Sequence, residues 1–196
     1  MRVLLMWIFS VMLSGCLFAF PYYVAPDILE EVAVNERLYA VSPTSNEVLF
    51  DLAMSYAYSG QILNGWTTLK KLDKSYSSVV IDLYTEKMKE SPDEWRYPFK
   101  LAFGYFFAGE KVKAIQLFEQ VLRINPDQVW AVGFIALVYG EMGRVDEAIS
   151  YCKKGLAMEP NAPGIHLLLA EGYRKKKKYF KAFKHFLIVG RLEAQD

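Results

Sequence analysis

The sequence predicts an all-α chain of stacked antiparallel helix pairs, on three observations. The first is a ladder of repeated residues 34 positions apart: Tyr105, Tyr139 and Tyr173; Ala102, Ala136 and Ala170; Ala114, Ala148 and Ala182. A fixed period of this length marks an array of supersecondary units. The second is the content of each period: an apolar stretch at helical spacing, a helix-breaking glycine, an amphipathic stretch and a stop at proline. In the middle copy these are Ile135 to Tyr139, Gly143, Val145 to Met158, and Pro160. The third is composition: 196 residues, 53% hydrophobic, with 13 Tyr, 13 Phe and 4 Trp. That is enough for one packed domain, and it excludes a disordered polar tail protein.

Taken in order, the chain opens on a leader. Twenty of residues 1–26 are hydrophobic, and no charge occurs between Arg2 and Asp27. One basic residue before an apolar run is the layout of a secretory signal. Three fates fit it. Leu13-Ser14-Gly15-Cys16 resembles a bacterial lipobox, with lipidation at Cys16; signal peptidase could cut after Ala19; or Val3 to Val24 stays as an uncleaved anchor. All three place the remainder outside the cytoplasm, in a bacterial envelope or secreted, and membrane-attached in the first and third cases. The leader thus spans 1–19 and an N-terminal segment spans 20–45. In that segment Asp27 is expected to cap a short helix from Ile28 to Tyr39, with Ile28, Leu29, Val32 and Tyr39 inward.

Residues 46–72 read as a degraded first helix pair, with Ala53, Tyr56 and Gly60 in the places of the ladder residues. Tyr56 precedes Tyr105 by 49 residues, fifteen more than one period. The excess falls in 73–94, where Val80, Leu83, Tyr84 and Met88 form one apolar stripe ahead of Pro92. An extra helix is therefore expected between pairs. Three full units follow at 95–128, 129–162 and 163–196. Gly109 and Gly143 mark the first two turns, Lys177 stands in the third, and Pro126 and Pro160 close the first two units.

These residues resemble the tetratricopeptide repeat: Leu101-Ala102-x2-Tyr105 with Ala114, Phe118 and Pro126; Ile135-Ala136-x2-Tyr139 with Ala148, Cys152 and Pro160; Leu169-Ala170-x2-Tyr173 with Ala182 and Phe186. The family Trp is absent, replaced by Pro98, Val132 and His166. The resemblance implies a right-handed α-solenoid of antiparallel helix pairs, with one extra helix inserted after the first repeat. It also implies a protein or peptide partner on the concave face lined by the first helices. Carried onto this sequence, the groove set is Phe50, Met54, Tyr58, Phe99, Phe103, Phe106, Phe107, Trp130, Leu137 and Arg174. Aromatics beside Arg are what protein-binding hot spots use. Three arrangements stay open: a free groove, a groove filled by residues 20–40, and self-association. Family members that clamp a C-terminal carboxylate use a Lys and Asn pattern; Phe103 and Leu137 stand where Asn is needed, so that ligand is disfavoured.

The net charge of +1 argues against a nucleic-acid binder. It is unevenly spread, since residues 163–196 carry 8 basic and 3 acidic side chains. The run Arg174-Lys175-Lys176-Lys177-Lys178 is a solvated turn or a contact for anionic lipid or an acidic partner, and with the N-terminus it gives two points of membrane contact. Catalysis has little support. The two Cys and two His form no metal or nucleophile pattern, there is no phosphate loop, and no cofactor is expected.

Overall fold

The computed structural model describes residues 22–73 and 75–193, and the leader, including Cys16, lies outside the described residues. Ten α-helices and no strands form among the described residues: α1 (Pro26–Val41), α2 (Asn46–Tyr58), α3 (Ile62–Leu69), α4 (Tyr76–Glu90), α5 (Arg96–Phe107), α6 (Lys111–Ile124), α7 (Val129–Glu141), α8 (Val145–Met158), α9 (Pro163–Lys175) and α10 (Tyr179–Glu193).

The helix ends follow from local chemistry. Pro26 and Pro163 sit in the first turns of α1 and α9, where proline's missing N–H is no loss. The Ser45 hydroxyl accepts from the Val48 N–H at the start of α2. Asp146 and Glu147 complement the positive end of α8. Helices α4, α6 and α8 each stop two residues before Pro92, Pro126 and Pro160.

Four turns close in one way. The N–H of Gln61, Glu110, Arg144 and Lys178 donates, each at 2.9 Å, to the carbonyl of Tyr56, Tyr105, Tyr139 and Tyr173 respectively. The residue before each donor, Gly60, Gly109, Gly143 and Lys177, has positive φ. This is a Schellman closure, which needs a left-handed residue and so favours glycine. Lys177, at φ 57°, adopts it with a side chain.

Packing divides the chain into a stack and a unit laid against it. In the stack, α5 pairs with α6, α7 with α8 and α9 with α10, and each pair rests on the next through α6–α7 and α8–α9. Ala102, Ala114, Ala136, Ala148, Ala170 and Ala182 are all buried at these close approaches, and Cys152 is buried where Phe118 stands one unit earlier. Helix α4 packs on α5 as α6 packs on α7, so the inserted helix extends the stack by one helix. Val80 and Tyr84 face inward as the stripe predicts, but Leu83 is exposed, and Ile81 lies beside Gly104 instead.

The other unit is α1–α3. Helix α1 packs on α2 and buries Ile28 and Val32. Asp27 does not cap it: the N-cap is Ala25, with no side-chain bond, and the Asp27 carboxylate reaches Arg96 at 2.6 Å.

Candidate partner-binding surface

One register position organises the row of first helices. Arg96, Trp130 and Gly164 are 34 residues apart, each at or next to the start of a first helix. All three meet the α1–α3 unit. The Arg96 guanidinium pairs with Asp27 at 2.6 Å and Glu31 at 2.9 Å. The Trp130 ring packs edge-on to Tyr22, with centroids 5.0 Å apart, and a Cβ on Gly60 would lie 2.1 Å from it. A Cβ on Gly164 would lie 2.8 Å from Ile62 Cγ1. The tip of the α2–α3 hairpin therefore lies over the N-terminal ends of α7 and α9.

Behind this tip the aromatic stripe is continuous core. Tyr58 packs on Phe99 at 5.4 Å and on Trp95 at 5.3 Å; Phe103 packs on Phe134 at 4.7 Å and on Phe118 at 5.6 Å. Mostly edge-to-face rings at these separations add to the burial energy. Phe50, Met54, Tyr58, Phe99, Phe103 and Trp130 are all buried. These six do not form one open groove, although Phe50 borders a cavity between α2, α3, α4 and α5. The sequence expectation fails there because α2 reads as a first helix in the row, whereas its side chains pack across that row. The cover comes mainly from α2 and the hairpin tip, with Tyr22 and α1 adding the Trp130 and Arg96 contacts.

The seam is also polar. The Tyr58 hydroxyl donates to Glu31 Oε1, while Glu31 Oε2 takes the Arg96 bond. Burial pushes the Glu31 carboxyl up, with Lys100 and Arg96 opposing. The largely buried Lys100 reaches Asp51 of α2 at 2.7 Å, and Asp51 also accepts from Tyr84. Burying these charges is tolerable because each has a partner.

The other four predicted groove residues remain accessible. Phe107 is 44% exposed, Arg174 is exposed, and Phe106 and Leu137 are half-buried. Three of them, Phe106, Phe107 and Arg174, sit in the last turns of α5 and α9, and Leu137 is in the second half of α7. A cavity of about 160 Å³ opens beside Leu137, between α7, α8 and α9, with Glu141, Glu171 and Lys175 at its edge. A larger one of about 430 Å³, lined by Phe50, Leu69, Tyr76, Val80 and Phe107, lies between α2, α3, α4 and α5.

One contact escaped the sequence reading. His166 and His185 are 19 residues apart, yet their Nδ1 atoms lie 2.9 Å from each other across the α9–α10 pair. The other His166 nitrogen faces the Pro160 carbonyl at 2.9 Å, and His185 stacks on Tyr173. The signal was available: residues 19 apart across a helical hairpin with a three-residue turn can face each other. Burial pushes both imidazoles below their usual value. Among the described residues no group of three or more His, Cys, Asp or Glu is placed to hold a metal ion.

Residues 108–171 match the tetratricopeptide repeat family model. That span is tetratricopeptide-repeat sequence. The matched span begins at the α5–α6 turn and ends inside α9, so it covers the centre of the stack. Over 78 residues, 40% of the chain, the sequence is 30% identical to the RNA polymerase-associated protein CTR9 of Saccharomyces cerevisiae; the match spans 7% of that protein's length. Among solved structures the repeat array is similar to MamA residues 41 to the end from Desulfovibrio magneticus RS-1 (TM-score 0.54, 15% identity, 87% of this chain and 88% of that one). It is likewise similar to MamA MSR-1 (TM-score 0.51, 22% identity, 86% and 88%). At such identities the likeness is one of fold.

Proposed function

We propose that this repeat protein is a non-enzymatic, exported protein-interaction scaffold whose partner surface is the far half of the first-helix row. One observation carries the reading: the α1–α3 unit takes up the shared register position at 96, 130 and 164, while Phe106, Phe107, Leu137 and Arg174 stay accessible. The repeat stack holds these side chains on rigid helices, so a partner segment binds without first ordering its host. Aromatic rings beside an arginine supply the apolar anchor and the directional contact that such surfaces use.

The reactive residues support a non-enzymatic role. The Cys152 thiol is buried and pushed up to about 12, which keeps it protonated and inert. The two histidines face each other, a backbone carbonyl and a tyrosine ring, and address no nucleophile. Export rests on the composition of residues 1–26, and attachment through a lipidated Cys16 rests on Leu13-Ser14-Gly15-Cys16. The intact mass of the mature chain distinguishes lipidation, cleavage after Ala19 and retention of the leader.

The surface is tested with Phe107→Asp combined with Arg174→Glu, both at exposed positions. The variant keeps wild-type helicity and melting temperature, and it loses a partner that the wild-type chain crosslinks in the envelope fraction. The same crosslinked partner on both proteins overturns this surface, and a wild-type chain that captures nothing specific overturns the scaffold reading.

A further inference from the structure

The outer face of α10 departs from its equivalents in the stack. One and two periods before Phe180 stand the exposed residues Asp146 and Val112; before Leu187 stand Lys153, which is exposed, and Glu119. In the inner repeats only one of these four positions is apolar, the exposed Val112, whereas in α10 both are large and apolar, 94% and 58% exposed. Phe183 is different, because its equivalents Ile115 and Ile149 are buried by the next pair. Stacking therefore accounts for an apolar residue at Phe183 and leaves Phe180 and Leu187 unexplained.

Charge says what covers them. Residues 172–192 hold eight basic side chains and no Asp or Glu. Lys176 pairs with Asp146 and Arg174 with Glu171. Lys177, Lys181, Lys184 and Arg191 make no ion pair with a carboxylate among the described residues, Lys178 acts on Asp146 only through its field, and all five are exposed. On the helix, Lys184 and Arg191 lie beside the Phe180–Leu187 line, and Lys177 and Lys178 stand at its N-terminal end.

We propose that α10 and the turn before it form a docking surface for an anionic lipid bilayer, with Phe180 and Leu187 entering the interface and the unpaired lysines meeting lipid phosphates. An amphipathic helix with aromatics on one face and Lys and Arg beside them binds membrane surfaces in this way, parallel to the plane. Each cation near an anionic surface adds to the attraction. The face is an outer edge of the stack, which a planar interface covers without a groove. A second copy of the chain fits poorly, because a two-fold contact sets the same unpaired cations against each other. This mode lies apart from the partner surface above and needs no membrane-crossing helix; none among the described residues is long and apolar enough to be one.

The test is flotation of the full-length chain with phosphatidylcholine vesicles, with and without phosphatidylserine. Binding is expected to rise with phosphatidylserine and to fall as salt is raised. Lys181→Glu with Lys184→Glu should lower the partition by about tenfold or more. Phe180→Ser with Leu187→Ser should lower it as well, with helicity unchanged in both variants. The salt series on the unaltered chain discriminates even if a variant misfolds. Equal binding to both vesicle types, insensitive to salt, assigns attachment to the leader and overturns the proposal. So does saturable binding of an acidic amphipathic peptide without vesicle binding, or a dimer in sedimentation that Phe180→Ser with Leu187→Ser abolishes.

Discussion

His166 and His185 show how one pair of side chains couples two helices to solution conditions. Their Nδ1 atoms are 2.9 Å apart, so one nitrogen must donate and the other accept. Protonating both rings puts two donors face to face. Burial holds both pKa values down; Arg191 adds to this at His166, and His166 with Lys184 adds to it at His185. The folded chain therefore binds fewer protons here than the unfolded chain near pH 6.5. Stability from this pair is present above that pH and is lost as pH falls through it. The melting temperature should fall between about pH 7.5 and 5.5. His185→Phe, which keeps a ring against Tyr173, should flatten that slope relative to wild type. An equal slope in both proteins would assign the effect to groups other than this pair; Glu31 is not one of them, because burial raises its pKa and so stabilises the fold as pH falls, the opposite direction.

At the scale of elements, the α2–α3 hairpin shows how one turn serves two purposes. Gly60, Gly109 and Gly143 make the same closure and share a positive φ, at 86°, 83° and 76°. They differ in surroundings. A Cβ at Gly109 meets nothing within 4 Å, whereas one at Gly60 strikes the Trp130 ring. Gly109→Ala therefore costs only the backbone penalty, about 1 kcal/mol. Gly60→Ala costs that penalty plus displacement of the tip, about 2–4 kcal/mol in all. Denaturant unfolding of the two variants checks the difference. Equal losses would mean that the hairpin tip is not seated on α7. The Gly60 position in the ladder was legible from its spacing to Tyr56. Its second role was not, because a turn glycine and a contact glycine are the same letter.

Across the whole molecule, the seating of α1–α3 changes how the chain should unfold. A simple repeat stack has contacts only between neighbours and can lose its ends separately. Here the N-terminal unit touches the first helices of three successive repeats, through Arg96, Trp130 and Gly164. Contacts between distant parts of the sequence tie the two ends into one cooperative system. Unfolding followed by tryptophan fluorescence, from Trp66, Trp95 and Trp130, should coincide with unfolding followed by helicity. Two separated transitions would show that α1–α3 comes away from the stack first.

The helix pairs, their 34-residue register, the close Ala contacts and the stops at Pro92, Pro126 and Pro160 were all legible in the order of residues. They depend on spacing within a helix or between adjacent helices, and local chemistry writes that spacing into the chain. The aromatic stripe on the first helices was legible for the same reason. What faces that stripe was not, because it is set by packing between distant segments. Phe99, Phe103 and Trp130 have the same pattern whether water, a partner or α2 lies opposite, because periodicity records that a face is apolar and not what covers it. Asp27 likewise has the position of a helix cap, and its bond to Arg96 depends on how α1 is placed against a residue 69 positions away. The open end of the row, at Phe107 and Arg174, and the exposed face of α10, at Phe180 and Leu187, are what that placement leaves accessible.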